Sequence, residues 1–182
     1  IERGGKTEGT IVFTTTRKDD GYLFAAETKL GPVVDISQVR VDKDLRPIAT
    51  TRQLSGAGRA DFTLLAVYDK GKLSVQAKTA DGDKAVTVNV AADAWDNDQL
   101  LMTVRALPLA ENRMFPVTNV VAASATSVKA EIRVVGQEKL DVPAGSYTTY
   151  KVELHFGSGA HYAWYDVNKP HYLVKYENTD VQ

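Results

Sequence analysis

The sequence predicts a mainly β protein: an antiparallel meander of about twelve short strands with one helix packed against a sheet. Three observations carry this. Apolar and polar residues alternate through many short segments, as in Phe62, Leu64, Ala66 and Tyr68. Turn residues recur between them at about 8–12-residue intervals. One stretch alone carries helical spacing.

The strands follow in order. Residues 10–16 are β-branched and open the series. The run Lys18-Asp19-Asp20-Gly21 turns the chain into a second strand at 22–30, and Gly31-Pro32 ends it. Residues 33–41 follow; the apolar phase changes between Ile36 and Val39, which predicts a bulge or an edge strand. Residues 42–47 form a charged turn whose proline is expected to end pairing. Strands at 48–54, 61–68, 73–78 and 85–90 are separated by turns at 55–58, 69–72 and 81–83. Their polar members put one sheet face in water.

The helix is expected over residues 96–107. Asp96 is the N-cap and Gln99 can reach back to it, as in a capping box. Trp95 and Leu100 have the spacing of a hydrophobic staple. Leu100, Val104 and Leu107 mark an apolar face that Leu101 widens, and Pro108 stops the helix. A helix of about 12 residues is marginal alone, so a sheet must hold it. Beyond it, residues 115–117 read as an irregular entry and 119–126 as strand or coil. Strands follow at 128–135, from 150, at 161–166 and at 172–177. Residues 140–147, 157–159 and 167–170 supply the turns. The whole chain, 1–182, reads as one domain with frayed ends at 1–8 and 178–182.

Composition excludes several function classes. The 22 basic and 23 acidic residues are interspersed and leave a net charge of −1, against nucleic-acid binding. There is no cysteine, hence no disulfide, thiol nucleophile or thiolate metal site. No apolar run reaches the ~20 residues of a membrane span, so no transmembrane segment is expected. The chain opens on Ile1-Glu2-Arg3, which is neither a start methionine nor a signal sequence, and a trimmed or mature segment is the expectation.

Several motifs in order carry a resemblance. Val142-Pro143-Ala144-Gly145-Ser146-Tyr147 resembles the V-P-A-G-x-aromatic turn of a bacterial domain-of-unknown-function family of exported proteins. Tyr162-Ala163-Trp164-Tyr165-Asp166, followed by Pro170 and Leu173-Val174-Lys175-Tyr176, is similar to its C-terminal W-x-x-D…P hairpin. The segment ending Arg105-Ala106-Leu107-Pro108-Leu109 resembles its R-x-L-P-L motif, although Asn97-Asp98 stand where aspartate and serine are usual. Val41-Asp42 and Leu45-Arg46-Pro47 fit its V-D-x-x-L-x-P turn. The resemblance implies an open antiparallel β-roll or half-barrel of the YmcC-like kind. It also implies a periplasmic or outer-membrane-associated place in a bacterium, a lipoprotein-like roll distantly similar to lipoprotein-carrier half-barrels, and no activity.

No catalytic constellation stands out. His155 and His161 flank a hairpin and could share a metal across two strands, with Asp166 or His171 as a third ligand, but no zinc spacing supports this. Asp93, Asp96 and Asp98 lack the glycine and distal glutamate of a calcium loop, and capping explains them better. G-x-S-x-G is absent. No catalytic residue, metal or cofactor is therefore assigned. Arg105 is expected to pair at the helix end, or else to read a ligand carboxylate. The expected function is non-enzymatic binding or scaffolding, with an apolar chain, a glycan or an envelope protein as partner. A groove beside the helix would be lined by Trp95, Leu101, Val104, Arg105, Tyr162 and Trp164. A structural module without a small ligand, or a hydrolase, are the alternatives.

Overall fold

A computed structural model describes residues 1–3, 6–56, 58, 61–156 and 159–178. Its elements are β1 (Glu2–Arg3), β2 (Lys6–Thr7), β3 (Gly9–Lys18), β4 (Gly21–Leu30), β5 (Val33–Asp42), β6 (Pro47–Ser55), β7 (Phe62–Asp69), β8 (Lys72–Thr79), β9 (Gly82–Asn89) and β10 (Trp95–Asp96). A 3-10 turn (Asn97–Gln99) leads into α1 (Leu100–Val104). Then come β11 (Met114–Val121), a second 3-10 turn (Ala122–Ser124), β12 (Thr126–Val142), β13 (Gly145–Phe156), β14 (Gly159–Asp166) and β15 (Leu173–Asn178). Twelve of these strands have six residues or more. The fold class is mainly β and antiparallel with one short helix, as the turn spacing predicts. Contacts divide the chain into two compact units, Ile1–Gln99 with Val120–Ser127, and Leu100–Asn119 with Val128–Gln182.

In the first unit β3 to β9 form a seven-stranded sheet in sequence order. Directly paired residues share a face. One row of pairs runs Thr15, Phe24, Val39, Thr50, Ala66, Val75 and Val86. This inward face carries the buried Phe24, Val39, Val41, Leu64, Ala66 and Leu73. One buried cluster joins its Leu64, Ala66, Leu73 and Val75 with Ala94, Val120 and Ala122. Gly21 is required by close approach, because a Cβ there would lie 2.0 Å from the Val41 carbonyl oxygen.

The second unit holds α1, β13, β14 and β15, with most of β11 and β12. These strands neighbour one another in sequence order. The Val-Pro-Ala-Gly motif is the reversal between β12 and β13, with Gly145 at φ 134°. Val134, Ile132, Val152, Leu154, Ala163 and Tyr165 face inward and are buried.

Four local expectations change. The α-helix spans Leu100–Val104 and not 96–107: the capped turn before it is 3-10, and the chain leaves helical geometry at Arg105. Leu100, Met102, Thr103 and Val104 are all buried, so the short helix is covered around its circumference and not along a stripe. β5 carries neither feature: it is internal, flanked by β4 and β6, pairs with β4 without interruption, and the register shift opposite Arg40 and Val41 leaves the extra residue, Ile48, in β6. Pro47 begins β6 opposite Val41 instead of ending pairing, at the first position of a strand, where a residue without an amide proton is tolerated. Finally, 114–121 is a regular strand despite Pro116. Residues 1–8 include the pairing of β1 with β2. The turn at 55–58 lies partly, and residues 157–158 and 179–182 wholly, outside the described residues.

Candidate functional site

The polar residues buried in the first unit converge on Asp96. Its Oδ2 accepts hydrogen bonds from the Thr50 hydroxyl at 2.5 Å and the Tyr68 hydroxyl at 2.6 Å. Its Oδ1 accepts the Asp98 amide at 2.9 Å, and the Asp96 amide donates to Gln99 Oε1 at 3.4 Å. This is the capping box the sequence predicts, set on a 3-10 turn. Gln99 then donates through Nε2 to the Leu45 carbonyl at 2.8 Å. Leu45 holds φ 62° in a turn whose Asp44 and Arg46 amides donate to Asp42 Oδ1, both at 2.9 Å. The V-D-x-x-L-x-P motif thus positions one carbonyl for the capping glutamine. Sequence reading found Asp96 and Gln99 from their spacing. It missed Thr50, which lies in a modest, polar strand, and Tyr68, which alternation marks only as a member of an apolar face.

The chemistry of this cluster is architectural. Both Asp96 oxygens are occupied by protein donors, which leaves a poor base or nucleophile. The adjoining crevice, lined by Thr50, Arg52, Asn97 and Asp98 among others, measures about 20 Å³, room for one water and no substrate. Arg52 makes a bidentate pair with Asp35, Nε to Oδ1 at 2.9 Å and Nη2 to Oδ2 at 2.6 Å.

Burial raises the Asp96 carboxyl above its ordinary 3.8, against the Thr50 and Tyr68 hydrogen bonds. Burial and the Asp96 charge raise Asp98 likewise. Burial, with the Asp96 charge adding to it, raises the Tyr68 phenol. A carboxyl with a raised folded-state pKa holds its proton more tightly folded than unfolded. Stability is therefore expected to rise as pH falls from neutral through the raised values toward 3.8. Asp20, lowered by Arg40, opposes this only below 3.8. Urea midpoints across that range check the direction, and Asp96→Asn is expected to flatten the slope.

The second unit has a comparable clamp. Arg105 Nε donates to the carbonyls of Pro170 at 3.3 Å and His171 at 3.1 Å, and its guanidinium lies 5.1 Å from the Tyr172 ring centroid. The buried Tyr165 hydroxyl donates to the Leu101 carbonyl at 3.0 Å. Asp166 Oδ1 accepts the Asn168 amide at 2.9 Å, and His171 Nδ1 lies 2.8 Å from the Asp166 carbonyl. The Arg105-Ala106-Leu107-Pro108-Leu109 segment and the hairpin of Asp166 and Pro170 meet here, holding the helix end to the last turn. Arg105→Ala is expected to cost about 1–3 kcal/mol, from two charged hydrogen bonds and the ring contact. Thermal denaturation beside wild type checks it.

The six groove residues are distributed unevenly. Trp95 belongs to the first unit and the other five to the second. Val104 is fully buried, while Leu101, Arg105 and Tyr162 are half-buried. Tyr162 and Trp164 come together, with ring centroids 6.2 Å apart. Trp164 is buried on the charged face of its sheet. Lys151 and Lys175 flank it, their Nζ atoms 5.2 and 4.8 Å from its ring, and its indole donates to Glu138. The lysine stems cover the ring, so it is not presented for stacking. His155 pairs with Ala160 and His161 with Leu154, which puts the two imidazoles on opposite sheet faces and removes the shared-metal geometry.

One surface is open. Ile11 and Phe13 lie on the inward face of the seven-stranded sheet, in register with Thr28 and Ala26, yet remain 41% and 37% exposed. The core that covers Leu64, Ala66 and Leu73 on that face does not extend over them.

The sequence matches a family of proteins of unknown function, DUF3108, over residues 2–181. The chain belongs to the DUF3108 family. No curated protein matches it. Among solved structures it is similar to a β-barrel-like protein of domain of unknown function DUF1849 from Brucella abortus. The identity is 10% and the TM-score 0.59, covering 94% of this chain and 88% of that one. At that identity the likeness shows the fold alone: this DUF3108 chain has a β-barrel-like fold, in keeping with the half-barrel expectation.

Proposed function

We propose that this DUF3108 protein is a non-enzymatic binding protein of the bacterial envelope that takes an apolar chain on the inward face of its seven-stranded sheet. The observation that carries the reading is the exposure of Ile11 and Phe13 on the face that buries Phe24, Val39, Leu64 and Leu73 further along the sheet. Apolar side chains in that position gain from being covered, by roughly 25 cal/mol per Å². The full engagement of Asp96 by protein donors supports a binding role over hydrolysis. The exported, YmcC-like character belongs to the same proposal and is supported by the order of the turn motifs. Fractionation of cells expressing the native gene tests it, and recovery in the cytoplasm contradicts it.

Titration with a fluorescent fatty acid tests the binding. Saturable binding is expected, weakened about tenfold by Phe13→Asp. Val12→Asp, on the opposite sheet face, is expected to leave it unchanged. Absence of saturable binding, or equal binding by both variants, contradicts the reading.

A further inference from the structure

The inward face of the seven-stranded sheet carries an ion pair, Arg52 with Asp35. Cross-strand pairing joins it to the open apolar residues along two neighbouring rows. One row runs from Ile11 through Thr28 to Asp35, and the next from Phe13 through Ala26 and Ser37 to Arg52. With strands about 4.8 Å apart, Asp35 stands about 10 Å from Ile11, and Arg52 about 14 Å from Phe13. The residues between are small, and all three are half-buried.

The pair is within reach of solvent: the Arg52 and Asp35 side chains are 33% and 20% exposed. Asp35 takes the Nε and Nη2 protons, and Nη1 donates to no acceptor among the described residues. An ion pair drawn out of water is seldom worth more to a fold than apolar residues of the same volume. Folding alone therefore gives no reason for one on this face. The charges of Asp98 and Asp96 act on Arg52 as well, and that of Asp35 acts on Asp98. Three carboxylates thus stand around one guanidinium. The crevice that Arg52 and Asp98 line holds about 20 Å³, so any group larger than water meets the pair from its exposed side.

We propose that this face takes an acyl chain with a neutral, hydroxylated head of the acylglycerol class, the head lying at the Arg52–Asp35 pair. The inference rests on the chain-binding reading above and adds the head to it. A hydroxyl accepts from Arg52 Nη1 and donates its own proton to a carboxylate of Asp35 or Asp98. A fatty-acid carboxylate also accepts from Nη1, but it has no proton to donate and sets a further negative charge against three. An alkylammonium donates to Asp35, but it offers Nη1 no acceptor and meets the guanidinium charge. Of the three heads, the hydroxylated one satisfies both sides of the pair. The two hydroxyls of a glyceryl group let the accepting and donating roles fall on different atoms.

Displacement of a bound fluorescent fatty acid from the full chain at neutral pH ranks the heads. Monomyristoyl glycerol is expected to displace it at about tenfold lower concentration than myristate or tetradecylamine, which match its chain length. Tetradecyl glucoside presents hydroxyls on a sugar, and tighter binding of it than of the acylglycerol would overturn the glyceryl assignment. Asp35→Asn keeps a carbonyl acceptor for the guanidinium and removes one negative charge. It is expected to bring myristate within about threefold of monomyristoyl glycerol, with the fold retained by circular dichroism. Weakening of all the lipids by one common factor would mark Asp35 as structural and overturn the head assignment. So would myristate or tetradecylamine binding the wild-type chain as tightly as monomyristoyl glycerol, a comparison that needs no variant. In that case, a loss of every lipid in Phe13→Asp leaves the chain reading standing. No saturable binding of any lipid overturns both.

Discussion

Asp96→Ala is expected to destabilise the protein by about 3–5 kcal/mol. The substitution strands a buried hydroxyl donor on Thr50 and a half-buried one on Tyr68, and removes the acceptor for the Asp98 amide. A hydrogen bond to a charged partner is worth roughly 1.5–3 kcal/mol, and an orphaned buried donor costs about 1–3. The lost cap adds about 1 kcal/mol. Relief of the buried charge's own desolvation keeps the sum from growing further. Asp96→Asn keeps one carbonyl acceptor and should cost about half as much. Tyr68→Phe, which removes one donor, should cost about 1 kcal/mol. Urea unfolding of the three variants orders them. An alanine variant as stable as wild type would show that the buried cluster contributes nothing to the fold.

Leu73→Ala is expected to cost about 2–5 kcal/mol. Leu73 is fully buried, opposite Tyr68 and Val88, in the part of the core that includes Val120 and Ala122. Truncation leaves a cavity that paired strands cannot close, because both neighbours are fixed by ladder hydrogen bonds. The matched control is Leu65→Ala, on the outer face and 42% exposed, expected within about 0.5 kcal/mol of wild type. The contrast between two leucines of one sheet tests its inward and outward assignment directly.

Much of this architecture was legible in the sequence, for a physical reason. Two-residue turns such as Asp19-Asp20 and Pro143-Ala144 fix strand ends locally, and alternation then assigns faces. The helix was over-read. A capping box followed by leucines at helical spacing is a local signal, and it did form at Asp96 and Gln99. Beyond Val104 the chain continues through i→i−3 turns, the Ala106 amide donating to the Thr103 carbonyl and the Leu107 amide to that of Val104. Arg105, at the turn beyond Val104, is held by carbonyls of Pro170 and His171, far along the chain. Thr50 and Tyr68 were equally beyond reach, because their meeting with Asp96 depends on how β6 and β7 stand against the capped turn. The groove expected around Trp95, Leu101, Val104, Arg105, Tyr162 and Trp164 joins residues on or near the helix with the aromatic pair of the last hairpin, and no strand register enters it. The lysine cover over Trp164 depends on a cross-strand register that apolar character does not reveal. Ile11 and Phe13 read only as members of a β-branched opening strand; their face follows from the register with β4, and their exposure from the end of the covering core.

Methyl chemical shifts during titration with a fatty acid test the proposed binding face most directly. Saturable perturbations are expected at the Ile11, Ala26 and Thr28 methyl groups, with Val12, Leu65 and Val67 on the outer face silent. Perturbations confined to the outer face, or none at saturating ligand, would contradict it.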